Sequence, residues 1–176
     1  MKNKAFAALF VAMAFSGGSA QAHVLDLTAF TPNVGINGGA SVSSNVAYLS
    51  ATASLSGVVS GLTSFEWRFQ TTDYLPYNDY SYVSFNGGTP ITLSDVATVG
   101  NYGNSGWQTY NTATPFSGTV TFGVNNFMDN AVSSNLSVQN VTAVPEPEEY
   151  AMMMAGIPLV GWQIRRKQNK SAPVVA

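Results

Sequence analysis

Cysteine is absent from this 176-residue chain, and histidine occurs once, as His23. Those two gaps exclude a disulfide framework, a thiolate zinc centre, a cysteine nucleophile and any histidine-rich metal site. A Ser-His-Asp triad fails as well, because the one imidazole falls at the start of the expected mature chain, where no neighbouring groups hold it. Charge is also scarce: Asp, Glu, Lys and Arg make up 9% of the residues, where roughly a quarter is usual in soluble proteins. The surface must therefore be carried by Ser, Thr, Asn and Gln. Basic residues are scarcest in the middle. Lys2 and Lys4 open the chain and Arg165, Arg166, Lys167 and Lys170 lie near its end, leaving Arg68 as the single base between them. Against it stand Asp26, Glu66, Asp73, Asp79, Asp95 and Asp129. One arginine cannot neutralise a row of phosphates, so nucleic acid is excluded as a partner.

What is present suffices for one domain of ordinary size: 18.6 kDa with 45% hydrophobic residues can build a proper core, but not two large ones. The two ends read differently from the middle. Met1 to Lys4 is basic, Ala5 to Phe15 is an apolar run, and Ala20-Gln21-Ala22 offers the small side chains a signal peptidase accepts. As a helix the apolar run rises about 16 Å, short of the roughly 30 Å needed to span a membrane. Residues 1–22 are thus expected to be a signal peptide that engages the Sec translocon and signal peptidase, with His23 as the mature terminus.

At the other end, Val144-Pro145-Glu146-Pro147-Glu148-Glu149 forms an extended acidic linker, since proline denies a helix its N–H donors. Tyr150 to Ile164 is uncharged and predominantly apolar, and Arg165-Arg166-Lys167 closes it. Fifteen helical residues reach only about 22 Å, a short span, and Pro158 weakens it; the basic cluster is retained on the cytoplasmic side and places the preceding domain across the membrane. Pro145, Glu146 and Pro147, a short apolar helix and Arg165 and Arg166 together resemble the PEP-CTERM sorting signal of exopolysaccharide-producing Gram-negative bacteria. The resemblance implies recognition by an exosortase, with Pro145 to Pro147 as its substrate. It gives three segments after the signal peptide: a domain at 23–143, a sorting signal at 144–170, and a tail at 171–176.

Between the ends, apolar residues alternate and Gly, Asn and Pro punctuate the chain at short intervals, which is the pattern of strands. In Phe65-Glu66-Trp67-Arg68-Phe69 the three aromatics point into a core while Glu66 and Arg68 share the outer face and are expected to pair. Further strands are expected at Val24–Phe30, Val46–Leu55, Tyr80–Phe85, Ile91–Leu93, Val96–Val99, Trp107–Tyr110, Thr119–Val124 and Leu136–Val141. Asn37-Gly38-Gly39, Asn86-Gly87-Gly88, Gly100 to Gly106 and Asn125-Asn126 supply turns. Eight or nine short strands predict an all-β fold, an antiparallel β-sandwich of jelly-roll type, flanked by the signal helix and a short C-terminal transmembrane helix. No internal repeat is visible, so a solenoid or propeller is not expected.

Four stretches, Asp73 to Tyr80, Gly106 to Tyr110, Phe122 to Asp129 and Leu136 to Val141, resemble a sandwich module of bacterial surface and PEP-CTERM proteins. That module is similar to carbohydrate-binding modules. Where such modules carry aspartates around the final strand, this chain has Asn135 and Gln139.

Candidate chemistry gathers in one loop. Stacking on sugar rings needs aromatic faces, and holding hydroxyls needs amides or carboxylates; Tyr74, Tyr77, Asn78, Asp79 and Tyr80 supply both, with Tyr82, Tyr102 and Trp107 as further aromatics, although Trp67 and Trp107 are read first as core residues. Asp73, Asn78 and Asp79 are the only local oxygen cluster for calcium, without the spaced ligand series of a dedicated loop. For glycoside hydrolysis nothing singles out a pair among Glu66, Asp73, Asp79 and Asp129. No enzyme activity and no cofactor are expected. Asn135-Leu136-Ser137 and Asn140-Val141-Thr142 match the glycosylation sequon, but both fall in expected strands of a bacterial-looking protein. Two functions follow: an exported, exosortase-processed structural or adhesive protein of the cell surface or exopolysaccharide matrix, held by its C-terminal helix in the membrane, or a carbohydrate-binding module on the same route.

Overall fold

The computed structural model describes residues 21–129 and 133–144. The signal peptide apart from its last two residues, and the expected sorting signal with Pro145, Glu146, Pro147, Arg165 and Arg166, lie outside them. Among the described residues no helix is long and apolar enough to cross a membrane.

The described chain is all-β and wholly antiparallel. Nine strands follow one another: β1 (His23–Val24), β2 (Thr31–Val34), β3 (Gly39–Val42), β4 (Val46–Ser50), β5 (Ala53–Gln70), β6 (Tyr80–Phe85), β7 (Ile91–Asp95), β8 (Gln108–Asn125) and β9 (Asn135–Ala143). Hydrogen bonding orders them β3-β4-β9-β5-β8-β6-β7, with β1 added to β9 and β2 to β5. The expected short strands are therefore only half the account, because β5 and β8 each run for 18 residues. Gly57 and Gly61, which resemble strand breaks, lie inside β5.

Each long strand belongs to two leaves. The first half of β5, Ala53 to Val59, pairs with β2 and with the second half of β8. The second half, Leu62 to Gln70, pairs with β9 and the first half of β8. Between the halves the register shifts, at Val59/Leu62 and Leu62/Ser64, and such irregularities let one strand turn a corner from one leaf to the other. Gly61 makes that corner possible. Its φ is +69°, and a Cβ there would stand 1.8 Å from the Val144 carbonyl oxygen, so no other residue fits without moving backbone.

The leaves close on one core. Phe65 of one leaf meets Phe122 of the other edge-on, with centroids 4.8 Å apart, and Phe30 stacks on Phe122 from the segment before β2 at 6.5 Å. Phe65, Phe69, Leu55, Leu62, Val83, Phe122, Leu136 and Val138 are fully buried; each large side chain so buried stabilises the fold by about 1.5–3 kcal/mol.

Two expected strands are different elements. Val96–Val99 is a single helical turn, α1, whose N-cap Asp95 accepts from the Thr98 backbone N–H at 2.8 Å. The stretch Val24–Phe30 is only a two-residue strand followed by a 3-10 turn at Leu27–Ala29 capped by Asp26. In both places a carboxylate satisfying a free N–H outweighs the strand preference of valine and leucine neighbours.

Candidate functional site

The expected loop site folds inward. Asp73 and Asp79 are fully buried. Asp79 accepts from the Phe127 N–H at 2.8 Å and from the Ser134 hydroxyl at 2.7 Å, and the same hydroxyl is shared with Thr71. Asp73 accepts from the Tyr74 N–H at 2.8 Å. Burial pushes the Asp79 carboxyl above the usual carboxylate range; bonds from Phe127 and Ser134 work against that, and repulsion from Asp73 and Asp129 adds to it.

Asn78 is equally committed. Its amide N–H donates to Asp95 at 3.2 Å and its carbonyl accepts from the Ala97 N–H at 2.8 Å, which ties the loop to α1. Burial pushes Asp95 up, but bonds from Thr98 and Asn78 outweigh it and leave the carboxyl below its ordinary value. Tyr80 takes a bond from the Asn125 amide on its hydroxyl at 3.1 Å. The loop thus has its Asn78, Asp79 and Tyr80 side chains bonded within the protein. Its polar groups hold strand ends together. Among the described residues no group of three His, Asp or Glu side chains is placed to hold a metal.

What remains on its surface is a tyrosine cluster. Tyr74, 42% exposed, meets Tyr77 edge-on at 5.5 Å and lies 6.0 Å from Tyr102. An aromatic cleft elsewhere, between β6 and β8, encloses about 270 Å³ along Phe85, Ile91, Tyr110 and Phe116. Its Thr112 hydroxyl donates to the Leu62 and Thr63 carbonyls, so few polar groups are left there to orient a ligand.

The better site lies on the outer face of the leaf formed by β3, β4, β9 and the second half of β5. Alternation builds it. Ala47 and Leu49, Trp67 and Phe69, Leu136 and Val138 point into the core, so Tyr48 and Ser50, Arg68 and Gln70, Asn135 and Ser137 must point out. Register then sets them in rows. Ser41 pairs with Tyr48, Tyr48 with Ser137 and Ser137 with Arg68; in the next row Gly39, Ser50, Asn135 and Gln70 follow one another in the same way. Small residues between two large ones leave a groove of about 490 Å³, lined by Tyr48, Arg68, Gln70, Asn135, Ser137 and their neighbours on β3 and β4.

One wall is Tyr48, 52% exposed. The other is Arg68, whose guanidinium carbon sits 5.1 Å from the centre of the Trp107 ring, within cation–π range. Trp107 is thus not a core residue; it is 40% exposed, because Trp67 pairs with Gln108 and this places the preceding tryptophan opposite Arg68. Nor does Arg68 pair with Glu66. The Glu66 carboxylate instead accepts from the amides of Gln139 at 2.8 Å and Asn140 at 2.9 Å. Gln139 therefore closes the neighbouring row.

The difference from the loop lies in what is engaged. Among the described residues the side chains of Tyr48, Gln70 and Asn135 make no hydrogen bond to one another or to the rest of the protein, and no residue accepts one from Arg68. A floor of small residues, the Tyr48 ring, a guanidinium backed by Trp107 and a set of unengaged donors and acceptors are chemically suited to a polyhydroxylated ligand. Sequence reasoning missed this set because its members come from three strands far apart in the chain. The signal that was available is the strict alternation around Tyr48, Arg68 and Asn135.

No protein-family model and no curated protein matches the sequence. Among solved structures the chain is similar to the M60 catalytic domain with the CBM51-1 and CBM51-2 domains of Clostridium perfringens ZmpB, at 11% identity and a TM-score of 0.46. That match covers 72% of this chain and 15% of the other. It is also similar to the CBM36-1 domain of a multidomain xylanase from the hindgut metagenome of Trinervitermes trinervoides, at 14% identity and a TM-score of 0.39, covering 67% of this chain and 96% of that one. A third is the N-terminal cellulose-binding domain of the Cellulomonas fimi β-1,4-glucanase C, at 11% identity and 0.35, covering 66% and 89%. With TM-scores below 0.5, these likenesses decide neither fold nor function, which rest on the strand pairing and the side chains above.

Proposed function

We propose that the β domain is a non-enzymatic glycan-binding module of an exported surface protein, and that it binds polysaccharide along the outer face of β4, β9 and β5. The observation that carries this is the groove between Tyr48 and the Arg68–Trp107 pair, with Gln70 and Asn135 unengaged within it. Strands β4, β9 and β5 are successive neighbours, so the Tyr48 and Arg68 walls stand about two strand spacings apart, ~10 Å, with Trp107 beyond Arg68. That span suits a chain of sugars rather than one ring.

The route to the surface is read from the ends of the sequence. A signal peptide at 1–22 supports export through Sec and signal peptidase. Pro145-Glu146-Pro147, the apolar helix and the Arg165-Arg166 cluster support recognition by an exosortase and at least transient residence of the C-terminal helix in the membrane. The exopolysaccharide matrix is then the nearest glycan, and an adhesive role follows from holding it. The domain reading is tested by titrating intrinsic tryptophan fluorescence of the full chain with soluble matrix polysaccharide: saturable change lost in Trp107→Phe supports it, and a flat titration refutes it. The route is tested by intact mass, where a chain cut near Pro145 supports sorting and a full-length chain confined to membranes makes the segment an ordinary anchor.

A further inference from the structure

The groove holds more than sugar-binding chemistry. Arg68 is the only Lys or Arg between Lys4 and Arg165, and it lines the groove. A half-buried guanidinium ordinarily meets a carboxylate or several carbonyls, because its five donors are costly to leave without acceptors. Among the described residues none is supplied. Its Nε is buried with no hydrogen-bond partner, and its one aromatic contact is the Trp107 ring, at 5.1 Å. The nearest acid along the strand, Glu66, is held by Gln139 and Asn140 and does not line the groove.

We propose that Arg68 makes the groove selective for acidic polysaccharide, its guanidinium pairing with the carboxylate of a uronic-acid unit. The proposal deepens the glycan-binding reading and rests on it. A planar guanidinium matches a planar carboxylate in a two-bond fork, which lysine cannot reproduce. Trp107 fixes the plane of that fork by covering one of its faces. Gln70 and Asn135, in the adjoining row, reach the hydroxyls beside the carboxylate. No acidic side chain lines the groove, and exposed charges farther than ~8 Å away are largely screened at physiological salt.

The test compares oligogalacturonate with its methyl ester, in which the charge is removed and a methyl group added, by calorimetric titration against the full chain and the variants Arg68→Gln and Arg68→Lys. The acid form is expected to bind the wild type about tenfold or more tightly than the ester, with the advantage shrinking as salt is raised. Arg68→Gln is expected to bind both forms alike, and Arg68→Lys to keep only part of the preference; an unchanged thermal midpoint in either variant separates lost selectivity from lost folding. Equal binding of acid and ester by the wild type would overturn the uronate assignment while leaving glycan binding intact. Binding of neither would overturn both.

Discussion

The loop from Asp73 to Tyr80 and the face formed by Tyr48, Arg68, Gln70 and Asn135 contain the same kinds of residue, and the fold uses them in opposite ways. In the loop, Asp79 and Asn78 hold Phe127, Ser134, Asp95 and Ala97, so these two side chains are used in joining strand ends. On the sheet face the strand ladder already satisfies the backbone, and among the described residues the side chains of Tyr48, Gln70 and Asn135 have no hydrogen-bond partner. Composition cannot distinguish these two situations. A polar side chain becomes available to a ligand when regular hydrogen bonding elsewhere has made it unnecessary for folding.

The comparison breaks most severely at Asp79. Asp79→Ala leaves the Phe127 N–H and the Ser134 hydroxyl without their acceptor, and is expected to cost about 2–3 kcal/mol in chemical denaturation while glycan binding of the folded fraction stays at the wild-type value. If binding fell and stability did not, the assignment of roles would be reversed.

Next comes the sheet face. Trp107→Ala and Tyr48→Ala are each expected to weaken polysaccharide binding by about tenfold, and each to leave the denaturation midpoint nearly unchanged because both side chains are substantially exposed.

A smaller effect separates Asp79 from Asp95 by pH. The Asp79 carboxyl holds its proton more tightly in the folded than in the unfolded chain, so the native state is favoured at low pH and loses that advantage as pH rises from the ordinary carboxylate range through the raised native value. Asp95 runs the other way: its lowered value gives stability above the ordinary range that is lost as pH falls. In melts from pH 4 to 8, Asp79→Asn is therefore expected to gain on the wild type as pH rises. A constant difference would show that Asp79 titrates in the folded protein as it does in the unfolded one.

The smallest expected effect is at Tyr74. Although 42% exposed, it lies in the loop cluster with Tyr77 and Tyr102, and Tyr74→Ala is expected to change polysaccharide affinity by less than about twofold, read by the same fluorescence titration.

Much of the fold was legible where local signals were strong. Tyr80–Phe85 is a strand with the bounds its alternation gave, Phe65, Trp67 and Phe69 are buried together, and Asn37 and Asn86 turn the chain with positive φ. The misses have local causes. Four residues at Val96 to Val99 are too few to separate period two from period 3.6, and the pairing of Asp95 with Thr98 was the overlooked helix signal. The expected strands end at Leu55 and resume at Phe65, whereas β5 continues through Gly57 and Gly61, because a bend inside a strand and a turn between two strands accept the same residue. The site was least legible. Tyr48, Arg68 and Asn135 become neighbours only through the pairing of β4 with β9 and of β9 with β5, and no spacing in the chain encodes a register between strands.

The most direct test of the central claim is a residue-resolved one: amide and side-chain chemical shifts of the full chain, isotopically labelled, as polysaccharide is added. Tyr48, Arg68, the Trp107 indole and Asn135 are expected to shift together and saturably while Tyr74 to Tyr80 stay in place. Movement confined to Tyr74 to Tyr80 would contradict it.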